Sequence, residues 1–247
     1  MTDVVHQFQS LFDTHKATLG WSPSLEITAQ LGDLYNGICA GNQRLNLTRI
    51  TGVEEFWEKH LWDSFVALNC PSLEFPAVGK LIDVGTGGGF PGLPLAIANP
   101  DWHVTLLDST QKKIAFLAEL SQDLNLSTQT IAARAETVGQ DLEHREQYDF
   151  VTIRAVAKAA VCLEYALPLL KIGGIAIFYR GQWTPKETSR LLPAIAQCGG
   201  ELVDLLTCET PITHSQRTCL YIQKKKPSDP RFPRAIGIPK QSPLASV

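Results

Sequence analysis

The hydrophobic positions along the chain change their period near residue 79. Before that point they recur at helical spacing, and no strand pattern appears. A glycine or a proline follows each of these segments and predicts where its helix ends. The pattern predicts three helices, running from about residue 4 to Gly20, from about residue 27 to Gly41, and from about residue 53 to before Pro71.

After residue 79, short apolar runs alternate with amphipathic segments. The runs predict seven strands, at residues 80–85, 103–108, 128–135, 148–154, 175–179, 201–207 and 217–223. Strands that alternate with helices form a parallel sheet with helices on both faces. About ten residues, including Pro211, separate the last two strands, which is too short for a helical crossover. We therefore expect an α/β fold with a mainly parallel seven-stranded sheet and an antiparallel last strand.

These patterns divide the chain into three parts. We predict a helical subdomain over residues 1–72, a ligand-binding α/β domain over residues 73–226, and a basic, proline-rich tail over residues 227–247. Five prolines in the tail predict an extended, weakly structured segment. The tail region is also basic: residues 217–240 hold seven Lys and Arg against one Asp, a net +6, whereas the whole chain carries −3. The rest of the chain therefore carries −9.

Composition excludes several classes of protein. Hydrophobic residues make up 44% and charged residues 19%, so a large core is expected and global disorder is not. The six cysteines form no CxxC pair and have no histidine at zinc-ligand spacing, which predicts neither a disulfide framework nor a metal site. The sequence shows no signal-peptide pattern and no apolar run of about 20 residues that could span a membrane. We therefore expect a cytoplasmic protein.

A glycine-rich loop follows the first predicted strand. Residues 83–92 read Asp-Val-Gly-Thr-Gly-Gly-Gly-Phe-Pro-Gly. The absence of Cβ atoms at Gly85, Gly87 and Gly89 lets the backbone turn sharply and approach a ligand. Asp108 ends the next strand, where a carboxylate can accept both hydroxyls of an adenosine ribose. The loop and this acid together predict an adenosine-containing ligand.

Two other interpretations of the loop remain open, a turn without a ligand and a dinucleotide site. The spacing G-x-G-x-x-G fails from Gly85, because Phe90 occupies its last position, and from Gly87 it fits later after the strand than usual. A carboxylate at Asp83 would orient a cationic amino-acid ligand and repel a pyrophosphate. The loop therefore favours S-adenosylmethionine, and hence a methyltransferase, over the cofactor of an NAD-dependent oxidoreductase.

The longer motifs resemble one family. Residues 81–96, with their Phe-Pro-Gly extension, are similar to the ribosomal RNA small-subunit methyltransferase G family, formerly called glucose-inhibited division protein B. The resemblance covers roughly residues 30–245. Its other motifs are Asn46-Leu-Thr48, His60-Leu-Trp-Asp63-Ser64, Leu106-Leu-Asp-Ser109, Lys112-Lys113, Arg154-Ala155 and Arg180-Gly-Gln182, where many members have Lys-Gly-Gln.

The resemblance implies a Rossmann-like class I methyltransferase that uses S-adenosylmethionine to methylate N7 of a guanine in the 530 loop of 16S ribosomal RNA. Its expected partner is 16S ribosomal RNA or the small ribosomal subunit, with no membrane and no oligomer implied. Together with Asp83, Gly87 and Gly89 from the loop, the residues expected to bind the cofactor are Gly85, Phe90, Asp108, Ser109, Thr110, Ala135, Glu136 and Arg154.

The residues agree with chemistry at N7. Guanine N7 has a free lone pair and loses no proton when it attacks a methyl group, so such an enzyme needs alignment more than a general base. Neither the Asn/Asp-Pro-Pro-aromatic motif of exocyclic-amine methyltransferases nor the Pro-Cys nucleophile used for pyrimidine C5 is present. Arg154 ends the fourth predicted strand, at the expected ligand edge. We expect it to be catalytic by holding guanine O6, a phosphate or the cofactor.

Phosphate contacts are expected in the basic C-terminal part, because attraction to a polyanion depends on local charge. A small-molecule methyltransferase and a catalytically idle ribosome- or RNA-binding module remain the alternative functions. The residues expected to contact RNA are Lys224, Lys225, Lys226, Arg231 and Arg234.

Overall fold

The N-terminal part of the protein is helical. In the computed structural model, which describes residues 3–246, Ser24 caps the second helix by accepting a hydrogen bond from the Ile27 amide at 3.2 Å. The third predicted helix is one helical stretch with a π-helical centre. Its pieces and the preceding helices are α1 (Asp3–Leu19), α2 (Leu25–Leu45), α3 (Val53–Phe56), a π-helical segment (Trp57–Trp62), α4 (Asp63–Phe65) and a 3-10 turn (Val66–Leu68).

The remaining chain forms one seven-stranded sheet with the strand order β3-β2-β1-β4-β5-β7-β6. The first five strands are parallel, and β7 runs antiparallel to both of its neighbours. The predicted fold class is therefore confirmed. The strands are β1 (Gly79–Val84), β2 (Trp102–Asp108), β3 (Thr128–Ala132), β4 (Tyr148–Arg154), β5 (Leu170–Arg180), β6 (Gly200–Glu209) and β7 (Gln216–Lys224).

Helices cover both faces of the sheet. They are α5 (Gly92–Ala98), α6 (Gln111–Asp123), α7 (Ala135–Val138), α8 (Ala159–Ala166), α9 (Pro185–Gln197) and α10 (Ile238–Gln241). One apolar cluster joins the N-terminal helices, α5 and α6 to the sheet, and a second joins α8 and α9 to it. Among residues 3–246, no helix combines the length and apolar character needed to cross a membrane.

The prediction of a weakly structured tail is wrong. Residues 227–246, which we call the C-terminal strap, fold back over the second apolar cluster, where Phe232 is buried. The guanidinium of Arg145 donates to the carbonyl oxygens of Phe232, Ser228 and Asp229 at 2.7, 3.0 and 3.2 Å. Proline-rich sequence predicts extended backbone, but it does not reveal that a distant arginine satisfies its carbonyl groups. The predicted division of the chain at residues 72 and 226 stays a prediction.

A candidate cofactor site and a neighbouring cationic cavity

The glycine-rich loop lies at the carboxyl end of β1, the edge at which open α/β sheets bind ligands. Gly85 has φ of 72°, and a Cβ added there would lie 2.4 Å from Val156. Gly87 has φ of 59°, and its amide donates to Oδ2 of Asp108 at 3.0 Å. Both positions thus require glycine, one for space and both for a left-handed conformation. The loop connects β1 directly to the acid at the end of β2.

A cavity of about 280 Å³ opens beside this loop, and we call it the adenosyl cavity. The carboxylate of Asp108 lies in its wall, half-exposed, and accepts one further hydrogen bond from the Thr110 amide at 2.8 Å. Each oxygen keeps a lone pair free. The cavity is lined by Val84, Gly85, Gly87, Leu107, Asp108, Ser109, Lys113, Ala133, Arg134, Ala135, Glu136, Ala155, Val156, Tyr165 and Lys240.

This set of residues fits an adenosyl cofactor. Asp108 offers acceptors for two ribose hydroxyls, and its orientation is fixed by two backbone amides. Leu107, Ala133 and Val156 provide apolar surface of the kind that contacts a purine ring. The side-chain-free backbone at Gly85 allows the ligand to pass close to the loop. The cavity therefore combines polar recognition of a sugar with an apolar wall.

Asp83 lies beneath the loop and outside the cavity. It has no exposed surface, and its carboxylate accepts from the hydroxyls of Thr86 and Thr152 at 2.6 and 2.9 Å and from the Gly92 amide at 2.9 Å. Burial raises the pKa of Asp83, and these donors oppose that shift. The prediction that Asp83 contacts the ligand is therefore wrong: a carboxylate with this many protein donors braces the loop from below.

The loop residues Gly89 and Phe90 also face the protein rather than the adenosyl cavity. A Cβ at Gly89 would lie 2.6 Å from Leu93, so this glycine serves packing. Phe90 is buried and stacks on His60, with ring centroids 4.2 Å apart. Thr110 precedes α6 and holds Asp108 through its amide. These three residues do not line the adenosyl cavity, and their contact with a cofactor stays a prediction.

Glu136 lines the cavity, but its carboxylate is committed to protein donors. It accepts from Arg134 at 3.0 Å, from the Tyr165 hydroxyl at 3.1 Å and from the Gly237 amide at 3.1 Å. These hydrogen bonds lower the pKa of Glu136 against the opposing effect of burial. Because its lone pairs are largely used, Glu136 holds the residues of the wall together. Ser109 and Ala135 also line this wall. Their contact with a cofactor stays a prediction.

A second cavity of about 450 Å³ lies next to the first, and we call it the cationic cavity. Arg154, expected at the ligand edge, lies in its wall, and Ala155 is shared with the adenosyl cavity. Arg154 donates to Oδ2 of Asp63 at 2.8 Å and to the Lys59 carbonyl at 2.7 Å. The cavity is lined by Ile50, Lys59, His60, Asp63, Arg154, Ala155, Tyr179, Arg180, Gly181 and Arg217.

The imidazole of His60 is held neutral in this wall. Its Nδ1 is 3.2 Å from Arg154 Nη2, and since a guanidinium only donates, Nδ1 is the acceptor. Nε2 then carries the proton and donates to Thr48 Oγ1 at 2.9 Å. Burial, reinforced by the charge of Arg154, lowers the pKa of His60 to about 3. Both ring nitrogens are engaged, so His60 positions Arg154 and offers no free base.

Several residues that line the two cavities had no role predicted from the sequence. Lys113 lay in the Lys112-Lys113 motif, but no role was predicted for it, and Arg134 had no distinguishing pattern. Tyr165 falls inside an apolar helix whose pattern is typical of the core. Arg180 lay in the Arg180-Gly-Gln182 motif, which was its one signal, but no role was predicted for it. Nothing in the periodicity of a proline-rich segment indicates that Lys240 would reach the adenosyl cavity.

The structure corrects part of the predicted RNA-contacting set. Lys224 is fully buried, where its ammonium donates to Glu146 at 2.7 Å and to the Leu170 carbonyl at 2.8 Å. Its prediction as a phosphate contact is wrong, because β7 turns it inward under the strap. Arg234 is bound to the buried carboxylate of Glu164. Lys225, Lys226 and Arg231 are exposed, and their contact with RNA stays a prediction.

Comparison with known proteins gives one consistent family. Residues 27–217 match the family model described as rRNA small subunit methyltransferase G. A protein of that name from Synechococcus elongatus is 54% identical, over 92% of this chain and 94% of its own length. Another, from Trichormus variabilis, is 48% identical over 99% of this chain and all of its own length.

Solved structures agree in fold. The 16S rRNA (adenine(1408)-N(1))-methyltransferase from Catenulisporales acidiphilia has a TM-score of 0.51 at 16% identity, covering 60% of this chain and 89% of its own. A putative methyltransferase from Bacillus halodurans also has a TM-score of 0.51, at 14% identity, covering 67% of this chain and all of its own. At these identities the likeness concerns the fold.

Proposed function

The chain belongs to the ribosomal RNA small subunit methyltransferase G family, and we propose that it transfers the methyl group of S-adenosylmethionine to N7 of a guanine in the 530 loop of 16S ribosomal RNA. The relatives named above carry ribosomal RNA methylation in their names.

The main support for this proposal is that the adenosyl cavity and the cationic cavity adjoin each other. They share Ala155, directly after β4, so a ligand in one adjoins a ligand in the other. Ala155 has φ of 56°, a left-handed conformation that costs a non-glycine residue free energy and is concentrated at functional sites. One cavity suits an adenosyl group, and the other is bordered by Lys59, Arg154, Arg180 and Arg217. This arrangement supports transfer between a cofactor and a polyanionic substrate.

S-adenosylmethionine, when bound, supplies an electrophilic methyl group on a sulfonium. The residues of this chain would position the two partners: Asp108 holds the ribose, and the backbone of Gly85 and Gly87 lies against the rest of the cofactor. Arg154, fixed by His60 and Asp63, would donate to O6 of the guanine or to a phosphate oxygen of the RNA. Alignment of this kind lowers the entropic part of the barrier.

The occupied hydrogen bonds of the cationic cavity support a nucleophile that needs no deprotonation. The carboxylate of Asp63 is shared between Arg154 and Arg217, and both nitrogens of His60 are engaged. In the described lining of this cavity, neither the Asp63 carboxylate nor the His60 imidazole therefore has a free acceptor aimed at a substrate proton. Guanine N7 attacks through a free lone pair, whereas methylation of an exocyclic amine releases a proton.

The proposed partner is the small ribosomal subunit or its 16S RNA, and its proposed location is therefore the cytoplasm. Lys59, Arg180 and Arg217 would contact phosphates beside the target base. Lys225, Lys226 and Arg231 are proposed as further phosphate contacts, since their side chains are exposed.

The test uses methyl-labelled S-adenosylmethionine and small subunits from a strain that lacks its own copy of the enzyme. The modified nucleotide is then mapped by mass spectrometry. Label on one guanine of the 530 loop, as 7-methylguanosine, is the expected result. Label on another base or another atom would refute the N7 assignment, and an unlabelled subunit with a labelled small molecule would favour the small-molecule alternative.

A further inference from the structure

The C-terminal strap reaches the adenosyl cavity from outside the region that the family model matches. That region ends at residue 217, before the strap begins. Lys240, on α10, nevertheless lies in the cavity wall with Gly85, Asp108 and Tyr165. A segment beyond the family's common core therefore supplies part of the wall of the cofactor site.

The strap is anchored on both sides of this contact. Arg234, on one side, forms a bidentate pair with Glu164, whose side chain has no exposed surface. On the other side, Leu244 and Ala245 pack against the apolar cluster of α8 and α9. A buried bidentate pair holds its partners in one geometry. The position of Lys240 is thus fixed by contacts that do not depend on a ligand.

The strap is also joined to the wall of the cavity itself. The amide of Gly237 donates to Oε1 of Glu136 at 3.1 Å, and α10 begins at the next residue. The same oxygen accepts from Arg134 and Tyr165, so one carboxylate links the strap to α7 and α8. Lys240 is placed three residues after this junction, at the rim of the cavity.

The ammonium of Lys240 is available to a ligand. Lys240 is exposed and, among residues 3–246, forms no hydrogen bond or ion pair with another side chain or carbonyl group. In contrast, Arg134 in the same wall is paired with Glu136. A lysine ammonium offers three donors and no acceptor, so it complements a carboxylate, a hydroxyl oxygen or a purine nitrogen. An adenosyl amino acid carries all three of these acceptors.

We propose that the C-terminal strap is a permanent wall of the S-adenosylmethionine site and that Lys240 donates a hydrogen bond to an acceptor atom of the bound cofactor. The inference rests on the proposed function for the identity of the ligand. It makes Lys240 a binding residue of the cofactor, separate from the residues of the cationic cavity that would hold the RNA.

The experiment compares the affinity of the full-length chain and its Lys240→Met variant for S-adenosylhomocysteine, the unreactive product, by isothermal titration calorimetry. We expect the dissociation constant to rise about tenfold in Lys240→Met, because a charge-assisted hydrogen bond is lost. Lys240→Arg keeps donors at this position and should bind within about threefold of the original chain. Lys186→Met, which neutralises an exposed lysine of α9 outside the described cavities, is the matched control and should bind unchanged.

A second measurement follows the strap directly. Hydrogen exchange of the backbone amides of residues 236–243 should slow when S-adenosylhomocysteine is added, and the exchange of α9 should not change. Equal dissociation constants for Lys240→Met and Lys186→Met, with unaltered exchange in the strap, would overturn the inference and leave the proposed function intact. Failure of the original chain to bind S-adenosylhomocysteine would overturn both.

Discussion

At the scale of single residues, the carboxylates of the adenosyl site divide into two kinds. Asp83 accepts hydrogen bonds from three donors of the protein and so fixes the loop. Glu136 likewise accepts hydrogen bonds from the protein and so fixes the cavity wall. Asp108 accepts two backbone amides and still faces the cavity. The residue that remains free to bind the ligand is therefore the one that is only partly satisfied by the protein.

Replacing Asp108 by Asn should weaken binding of S-adenosylhomocysteine at least about tenfold, because a charged acceptor of the ribose hydroxyls becomes a neutral amide. The stability of the fold should change little, since the amide oxygen can still accept from one of the two backbone amides. Calorimetric titration measures the first effect and urea unfolding the second. Asp123→Asn, at the exposed end of α6, is the control; equal affinity in the two variants would contradict the assignment of Asp108.

His60 should make the protein less stable in acid. Its pKa in the folded chain is about 3, whereas an unfolded histidine has a pKa of about 6.5. Below about pH 6.5 the unfolded state binds a proton at His60 and the folded state does not. The stability that neutral His60 allows above this pH is therefore lost as the pH falls towards 3. The loss from this residue approaches about 1.4 kcal/mol per pH unit.

The His60→Gln variant removes this proton-linked loss. Urea unfolding of the original chain and of His60→Gln at pH 7 and pH 5 measures the difference. We expect the variant to lose less stability between the two pH values, by up to about 2 kcal/mol, whatever its stability at pH 7. Identical losses in both proteins would mean that His60 titrates normally in the folded chain.

At the scale of helices and strands, the sequence predicted the bounds best where an apolar run has clear ends. β4 has the predicted bounds, Tyr148–Arg154, because its apolar run ends at charged or polar residues on both sides. β5 begins at Leu170, earlier than predicted, since Tyr148 pairs with Leu170 before the glycines at 173 and 174. Tertiary pairing of this kind has no local pattern. The strap was missed for the same reason, because side chains distant in sequence satisfy its backbone groups.

Arg145 should contribute strongly to the docking of the strap. Its guanidinium donates to four carbonyl oxygens, three in the strap and that of Gly139, and Arg145→Met would leave these acceptors without their donor. We expect the free energy of unfolding to fall by about 2–4 kcal/mol and cleavage by a protease to increase within residues 228–234. Arg190→Met, on the exposed side of α9, is the control for both measurements. Unchanged stability and cleavage would show that the strap is held by other contacts.

At the scale of the whole molecule, the positive charge of the C-terminal part is less available than its sequence indicates. Lys224 is buried against Glu146, Arg234 is paired with Glu164, and Arg231 with Asp229. The cationic cavity instead gathers its charge from four separate parts of the chain, through Lys59, Arg154, Arg180 and Arg217. Each of these residues can be recognised in the sequence as a cation. That they line one cavity depends on how the N-terminal helices pack against β4 and β7, which no local pattern shows.

Neutralising both Lys225 and Lys226 to Gln should weaken the association with RNA modestly. Each phosphate contact contributes about 0.7–0.9 to the slope of log affinity against log salt concentration, so the slope should decrease by at most about 2. Binding of 16S RNA at several salt concentrations measures it, with Lys186→Gln as the control. A slope equal to that of the control would remove these lysines from the RNA-contacting surface.

The central claim, methyl transfer to guanine N7 without a general base, is tested most directly by changing that atom. Small subunits are reconstituted with 16S RNA transcribed with 7-deazaguanosine, which has a carbon in place of N7, or with guanosine, and assembly is verified for both. With methyl-labelled S-adenosylmethionine, we expect label in the guanosine subunits alone, because only they offer the N7 lone pair. Equal labelling of the 7-deazaguanosine subunits would place the methyl group on another atom and contradict the account.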